Sequence, residues 1–352
     1  MVENNFRSSY FAAINSGNGF VSRFEELFFC ESIKHRYVIK GGPGTGKSSF
    51  IRRVGENAAR RGLPVEYYYC SSDTDSLDGA VIGGSVAIFD GTAPHSYDTV
   101  LPGVRDEILN LGQFWNAKKL AENEAQIKQC SKVKSDAYKR AYGYLSAALA
   151  TSVTADSAVG ECVLKEKLRS AAERDIAKLG LAKKGSVRFA QTEAMGVNGK
   201  VYLPTLTRSA LRIHTVCDCY GVGAVYLKEL LSIAATEGFA VKASFDTVDV
   251  SKPREIYFEE TGDCFTSVYS DDEGVCPRVN VKRFIDAQRF AEIRQTYRVA
   301  MGCYDRLCRL AEESLAGAGK AHAEMEKYYI SAMDFPSLEK YCSTFIDKIA
   351  VL

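Results

Sequence analysis

Three observations predict an α/β protein made of two tandem units. The apolar run Tyr37-Val38-Ile39 leads into Gly41-Gly42-Pro43-Gly44-Thr45-Gly46-Lys47-Ser48-Ser49, and helically spaced Phe50, Ile51, Val54 and Ala58 follow. Strand, glycine-rich turn and helix succeed one another as the phosphate-binding pattern G-x-x-x-x-G-K-[ST] requires. Strand-length apolar runs then alternate with helical spacings, which implies mainly parallel sheets with a ligand site at the carboxyl ends of the strands. Third, the second half repeats the first weakly but in order.

The phosphate-binding loop carries the most specific chemistry. Its glycines let backbone N–H groups converge on phosphate oxygens, and the helix N-terminus adds partial positive charge. Gly42, Pro43, Gly44, Thr45, Gly46, Lys47, Ser48 and Ser49 are the expected nucleotide-binding residues. Lys47 would reach the β- and γ-phosphates and the Ser48 hydroxyl would ligate Mg²⁺. Asp90 closes the apolar run Ser85-Val86-Ala87-Ile88-Phe89, the place from which an acid holds the Mg²⁺ water shell. No glutamate follows it; the chain continues Gly91-Thr92-Ala93-Pro94-His95. A catalytic base must therefore come from elsewhere, with Asp73 and His95 the nominated catalytic candidates beside Lys47 and Asp90. Asp75 and Asp78 share the polar loop 71–79 with Asp73, where turn formation competes with catalysis for each acid. Calcium is rejected because the spacing is wrong and position 84 is Gly. Arg36, Arg52, Arg53 and Arg105 are further sources of transition-state charge.

Length and composition bound the rest. The 352 residues suffice for two cores, and 46% hydrophobic with 25% charged residues describes an ordinary globular chain. A formal net charge of +1 argues against a nucleic-acid partner bound by bulk charge. Met1-Val2-Glu3-Asn4-Asn5 lacks the features of a signal peptide, and no apolar run approaches a membrane span of about 20 residues. Eleven scattered cysteines, an odd number, read as reduced thiols of a cytoplasmic protein.

Along the chain, Ser22 and Glu25 have capping-box spacing before Phe24, Leu27, Phe28 and Phe29. Val65 to Cys70 reads as a strand, and Pro102 to Gly112 as the start of a helix. Residues 116–150 form a long amphipathic segment, Thr151-Ser152-Val153-Thr154-Ala155-Asp156 breaks it, and a second helix covers 157–179. That pattern predicts an antiparallel helical hairpin, an arm or lid. Lys118, Lys119, Lys128, Lys132, Lys134, Lys139 and Arg140 make its first helix basic, but interleaved Glu122, Glu124 and Asp136 make it a solvated face.

The repeat sets the domain plan: 1–179 (core 1–115, arm 116–179) and 180–352 (core 180–290, arm 291–352). Phe11-Ala12 aligns with Phe189-Ala190, and Gly62 to Val65 with Gly238 to Val241. Gly44-Thr45-Gly46 falls on Gly221-Val222-Gly223, which puts Ala224 and Val225 at the places of Lys47 and Ser48. The second unit is thus degenerate and one nucleotide per chain is expected. Cys217, Cys219, Cys264 and Cys276 lie in this half, without a standard zinc spacing.

Gly41 to Ser48, Cys70-Ser71-Ser72-Asp73, Ser76-Leu77-Asp78-Gly79, Asp90 to His95 and Asn110-Leu111-Gly112 together resemble a bacterial family of tandem-duplicated P-loop proteins described as ATPases or ATP-binding proteins. The resemblance spans essentially the whole chain and is specific in the first half. It implies two P-loop-NTPase-like units and ATP, not GTP, as the nucleotide; a P-loop that can recur in the relatives' second half is missing here. The expectation is an ATP-Mg²⁺-binding protein, an ATP hydrolase whose nucleotide state moves the arms. The alternatives are a kinase for a nucleotide or other small molecule, and a non-hydrolysing nucleotide-gated module. The protein or small-molecule partner is not specified.

Overall fold

The computed structural model describes residues 7–93, 96–182, 184–268 and 278–349. The chain runs β1 (Arg7–Phe11), β2 (Ala13–Ser16), β3 (Gly19–Ser22), α1 (Phe24–Phe28), β4 (His35–Lys40), α2 (Lys47–Arg60), β5 (Val65–Tyr69), β6 (Leu77–Ile82), β7 (Val86–Asp90) and β8 (Asp106–Asn110). Three helices follow: α3 (Ala117–Glu122), α4 (Glu124–Gly160) and α5 (Lys165–Ala177). The second half adds β9 (Val187–Phe189), β10 (Glu193–Gly196), β11 (Gly199–Tyr202), α6 (Thr205–Ser209), β12 (Arg212–Val216), α7 (Val222–Glu237), β13 (Val241–Phe245), β14 (Pro253–Phe258), β15 (Asp263–Thr266) and β16 (Arg278–Val279). It ends in α8 (Ala287–Ala332) and α9 (Phe335–Ile349).

Two six-stranded sheets share one plan. The first has the order β1-β5-β6-β7-β4-β8 and the second β9-β13-β14-β15-β12-β16. In both, the third strand of that order is antiparallel to its two neighbours and the other pairings are parallel. Each sheet is thus mainly parallel with one antiparallel strand inside it. In the first sheet that strand is β6, which begins at Leu77 inside the expected polar loop 71–79 and returns antiparallel beside β5. Residues 106–110, expected as helix, are an edge strand parallel to β4. There Ile108 is exposed and Leu109 buried, an alternation of two that the short run hid.

The expected helical hairpins do not form. Thr151 to Asp156 lie inside α4, because Thr151 and Thr154 return their hydroxyls to the carbonyls of Ala147 and Ala150, both at 2.9 Å. Ala137, Ala141, Leu145, Ala148, Ser152, Ala155 and Val159 continue one buried stripe at spacings of three and four straight through the expected break. Ala311, Leu315, Ala318, Ala321 and Met325 line the matching face of α8. Bridges Trp115–Met333 and Val163–Ile285 join the two ends, so α4 and α8 run antiparallel. At 1.5 Å per residue they are about 55 and 69 Å long.

Each long helix ends on the other half's sheet. Leu168, Ala171, Ala172 and Ile176 of α5 join the core of Tyr226, Leu230, Val241 and Phe265. Leu338, Cys342 and Phe345 of α9 join that of Tyr37, Ile39, Phe50, Ile51 and Leu109. The halves also meet at the turns of two antiparallel strand pairs, β2-β3 and β10-β11, where Gly17 N donates to Val248 O at 2.9 Å and Val197 N to Ser72 O at 2.8 Å. Among the described residues no helix is long and apolar enough to cross a membrane.

Candidate phosphate-binding site

Loop 41–46 leaves the carboxyl end of β4, flanked by β7 and β8: Ile39 pairs with Asp90 and Lys40 with Asn110. On the β6 side, pairing of Gly79 with Phe89 sets Asp78 opposite Asp90. Gly44 (φ +66°) and Gly46 (φ +84°) are left-handed, a conformation costly for other residues, and Gly46 caps α2. The Thr45 hydroxyl donates to Gly42 O at 2.8 Å and closes the loop.

Lys47 and Asp90 come together at this strand end. The Lys47 ammonium donates to Gly42 O at 2.8 Å and Gly41 O at 3.3 Å, and lies 3.5 Å from Asp90 Oδ2. Asp90 Oδ1 accepts from Thr92 N at 2.8 Å and Thr92 Oγ1 at 2.5 Å. Burial pushes the Asp90 carboxyl above its ordinary value, against the pull of Lys47 and Thr92. Ser48 Oγ, accepting from Leu77 N at 2.9 Å, faces the start of β6. Ser49 is exposed on α2.

The other nominated groups are placed differently. Asp73 serves its own turn, accepting from Asp75 N at 3.2 Å and Ser76 Oγ at 2.6 Å. Asp249 does the same for Ser251 N in the second half, at 3.1 Å. His95 lies outside the described residues. Arg36 is buried in an ion pair with Asp106 at 2.5 Å, at the amino end of β4 and away from the loop. Arg52 binds Asp75 O at 3.0 Å, Arg53 pairs with Glu339 and Arg105 binds Ile33 O.

Sequence reasoning missed a wall supplied by the long helices. Glu326 Oε1 of α8 accepts from Gly44 N at 3.1 Å. His322 Nε2 is 3.5 Å from that oxygen, and its Nδ1 is 3.1 Å from the Lys134 ammonium of α4. Burial, with Lys134 and Lys47 nearby, holds the His322 imidazole down at about 4, so it is neutral near pH 7. The ammonium can only donate, which puts the imidazole proton on Nε2, facing Glu326. A Cβ on Gly42 would stand 2.6 Å from the Tyr329 ring, and Tyr329 packs at 6.1 Å on Trp115. Glu326 is 282 residues from Gly44, and no local pattern marks that contact.

The matching loop of the second half has different chemistry. Gly221 (φ +74°) caps α7 as Gly46 caps α2. Loop 217–221 is one residue shorter than 41–46, so Val222 and Gly223, not Ala224 and Val225, stand where Lys47 and Ser48 do. Thr215 pairs with Thr266 as Ile39 pairs with Asp90, so a threonine replaces the acid. Asp218 Oδ1 accepts from Gly223 N at 3.1 Å and Oδ2 from Arg254 at 2.7 Å, filling the helix end with an internal anion. The Cys217 and Cys219 sulfurs are 2.8 Å apart, Cys264 is buried in a different cluster, and Cys276 lies outside the described residues.

Loop conformation, a lysine on the first turn of the helix, and a carboxylate resting on a loop N–H all fit an oxyanion such as phosphate. Compared with family models, curated proteins and solved structures, the chain matches none, and the candidate site stands on this geometry.

Proposed function

We propose that the chain binds ATP with Mg²⁺ on loop 41–48 and hydrolyses it in the cytoplasm, the nucleotide state repositioning the long helices. The convergence of Lys47, Asp90 and the left-handed glycine loop at one strand end carries this reading. Lys47 would exchange its carbonyl contacts and its 3.5 Å approach to Asp90 for phosphate oxygens. Ser48 and Asp90 would hold the metal and its water, and the metal would supply charge neutralisation between phosphates. ATP, not GTP, follows from the family resemblance. The second half, with Val222, Gly223 and Thr266 at the matching places, acts as scaffold, so one nucleotide binds per chain.

One observation favours a second reading, phosphoryl transfer to a small-molecule acceptor. A water-activating glutamate has no room after Asp90, because any side chain at Gly91 would collide with Val38 Cγ1. Incubation of γ-labelled ATP with and without an acceptor panel separates the two. Hydrolysis predicts label released as phosphate whatever acceptor is present; label moving to an acceptor, with little release in its absence, replaces it with the kinase reading. Tight binding without turnover under either condition assigns a nucleotide-gated module.

A further inference from the structure

The candidate phosphate loop holds an acidic side chain of the chain's own. The Glu326 carboxylate takes a hydrogen bond from Gly44 N, one of the donors that the loop conformation turns toward a phosphate. It is not an isolated rotamer. His322 and Lys134 back it in series, at 3.5 and 3.1 Å, and Tyr329 and Ile330, one turn on, lie against Gly42 and Gly44.

The second half also brings an acid of a long helix to its loop, in fixed form. Asp156 of α4 lies beside Gly221, the counterpart of Gly46; a Cβ on Gly221 would stand 2.7 Å from its Oδ1. There the acid is tied to Lys252 and to Ser152 Oγ at 3.0 Å, and Asp218 takes the Gly223 N–H. A loop without lysine, threaded with internal carboxylates and braced by Lys252, has no need to release them. Loop 41–48 keeps Lys47, and the acid over it is backed by a neutral imidazole in place of a direct ion pair.

We infer that Glu326 is an intramolecular competitor for the phosphate site, so that a phosphate group on Gly44 N–H and the docked carboxyl end of α8 exclude one another. The carboxylate oxygen and a phosphate oxygen cannot both occupy the one N–H, and like charges at hydrogen-bond range repel. Occupancy of the loop therefore lifts the 322–330 segment of α8. Because α8 is paired along its length with α4, the displacement reaches the other sheet. This rests on the phosphate-binding reading of loop 41–48 and names how that site is regulated.

The test is calorimetric titration of the full-length chain with Mg·ATP and, separately, with tripolyphosphate. The variants are the parent, Glu326→Gln, Glu326→Ala and Lys47→Ala, with amide exchange of residues 322–332 followed in parallel. Removing the competing charge predicts that both Glu326 variants bind each probe about tenfold or more tightly than the parent. Exchange in 322–332 of the parent should rise on adding either probe. Equal affinities for parent and Glu326 variants, with Lys47→Ala weakened, overturn the competition and leave the nucleotide site standing. Tighter binding by Glu326→Ala but not by Glu326→Gln assigns a steric obstruction and overturns the anionic competitor. Binding of neither probe by any variant removes the phosphate site and the competition with it.

Discussion

Replacing Phe345 with alanine tests whether α9, from the far end of the chain, belongs to the core that carries α2. The Phe345 ring is 4% exposed, meets Tyr37 edge-on at 4.9 Å and Phe50 at 5.4 Å, and so links β4 to α2. Emptying such a site costs about 3–5 kcal/mol. The two lost ring contacts, about 0.5–1.5 kcal/mol each, put this one in the upper half of that range. The cost should fall locally first, because Phe345 is the largest fully packed side chain of α9, and Leu338 and Cys342 are the other α9 residues buried in this core. Urea unfolding with residue-resolved amide exchange reads both effects. Protection should drop in α9 and in the Phe50–Val54 segment of α2, while Tyr226 to Leu230 of α7 keep theirs. A loss below about 1 kcal/mol, or lost protection in α7 in place of α2, refutes the crossed arrangement.

Further outcomes follow from the charged interior. Asp106→Ala leaves Arg36 buried without its anion and strips Val100 N and Leu101 N of their acceptor, held at 2.6 and 2.7 Å. It should cost about 3–5 kcal/mol in chemical denaturation, and a near-neutral result would contradict the pairing. Burial pushes Asp263 up, but hydrogen bonds from Arg212, Thr261 and His214 outweigh it and hold its carboxyl at about 2. A depressed folded value means the contribution is complete above the unfolded value of 3.8 and is lost as pH falls toward 2. The melting temperature of the parent should therefore fall more steeply between about pH 4 and pH 2 than that of Asp263→Asn; parallel curves would refute it.

The conformation of loop 41–48 was legible because it is local: a strand, a left-handed glycine turn and a helix start need only neighbouring residues. The pairing of halves was legible too, from recurring glycines and apolar runs, but its register was not. A one-residue deletion in loop 217–221 shifts Val222 onto the place of Lys47, which only the two helix starts reveal. Hydroxyl-rich Thr151 to Asp156 looked like a break because hydroxyls compete with helical hydrogen bonds; here those of Thr151 and Thr154 return to the carbonyls four residues back, and packing on α8 decides. The wall of Lys134, His322 and Glu326 was illegible for a topological reason. It depends on where two long helices end, which is set by the far cores that α5 and α9 enter.

The most direct test of the central claim is the affinity of the full-length chain for Mg·ATP, measured by calorimetry for the parent and for Lys47→Ala. Losing a charge-assisted bond worth about 1.5–3 kcal/mol predicts a drop of about tenfold or more, with one site per parent chain. Equal affinities, or a stoichiometry of two, would contradict a single lysine-dependent phosphate site on loop 41–48.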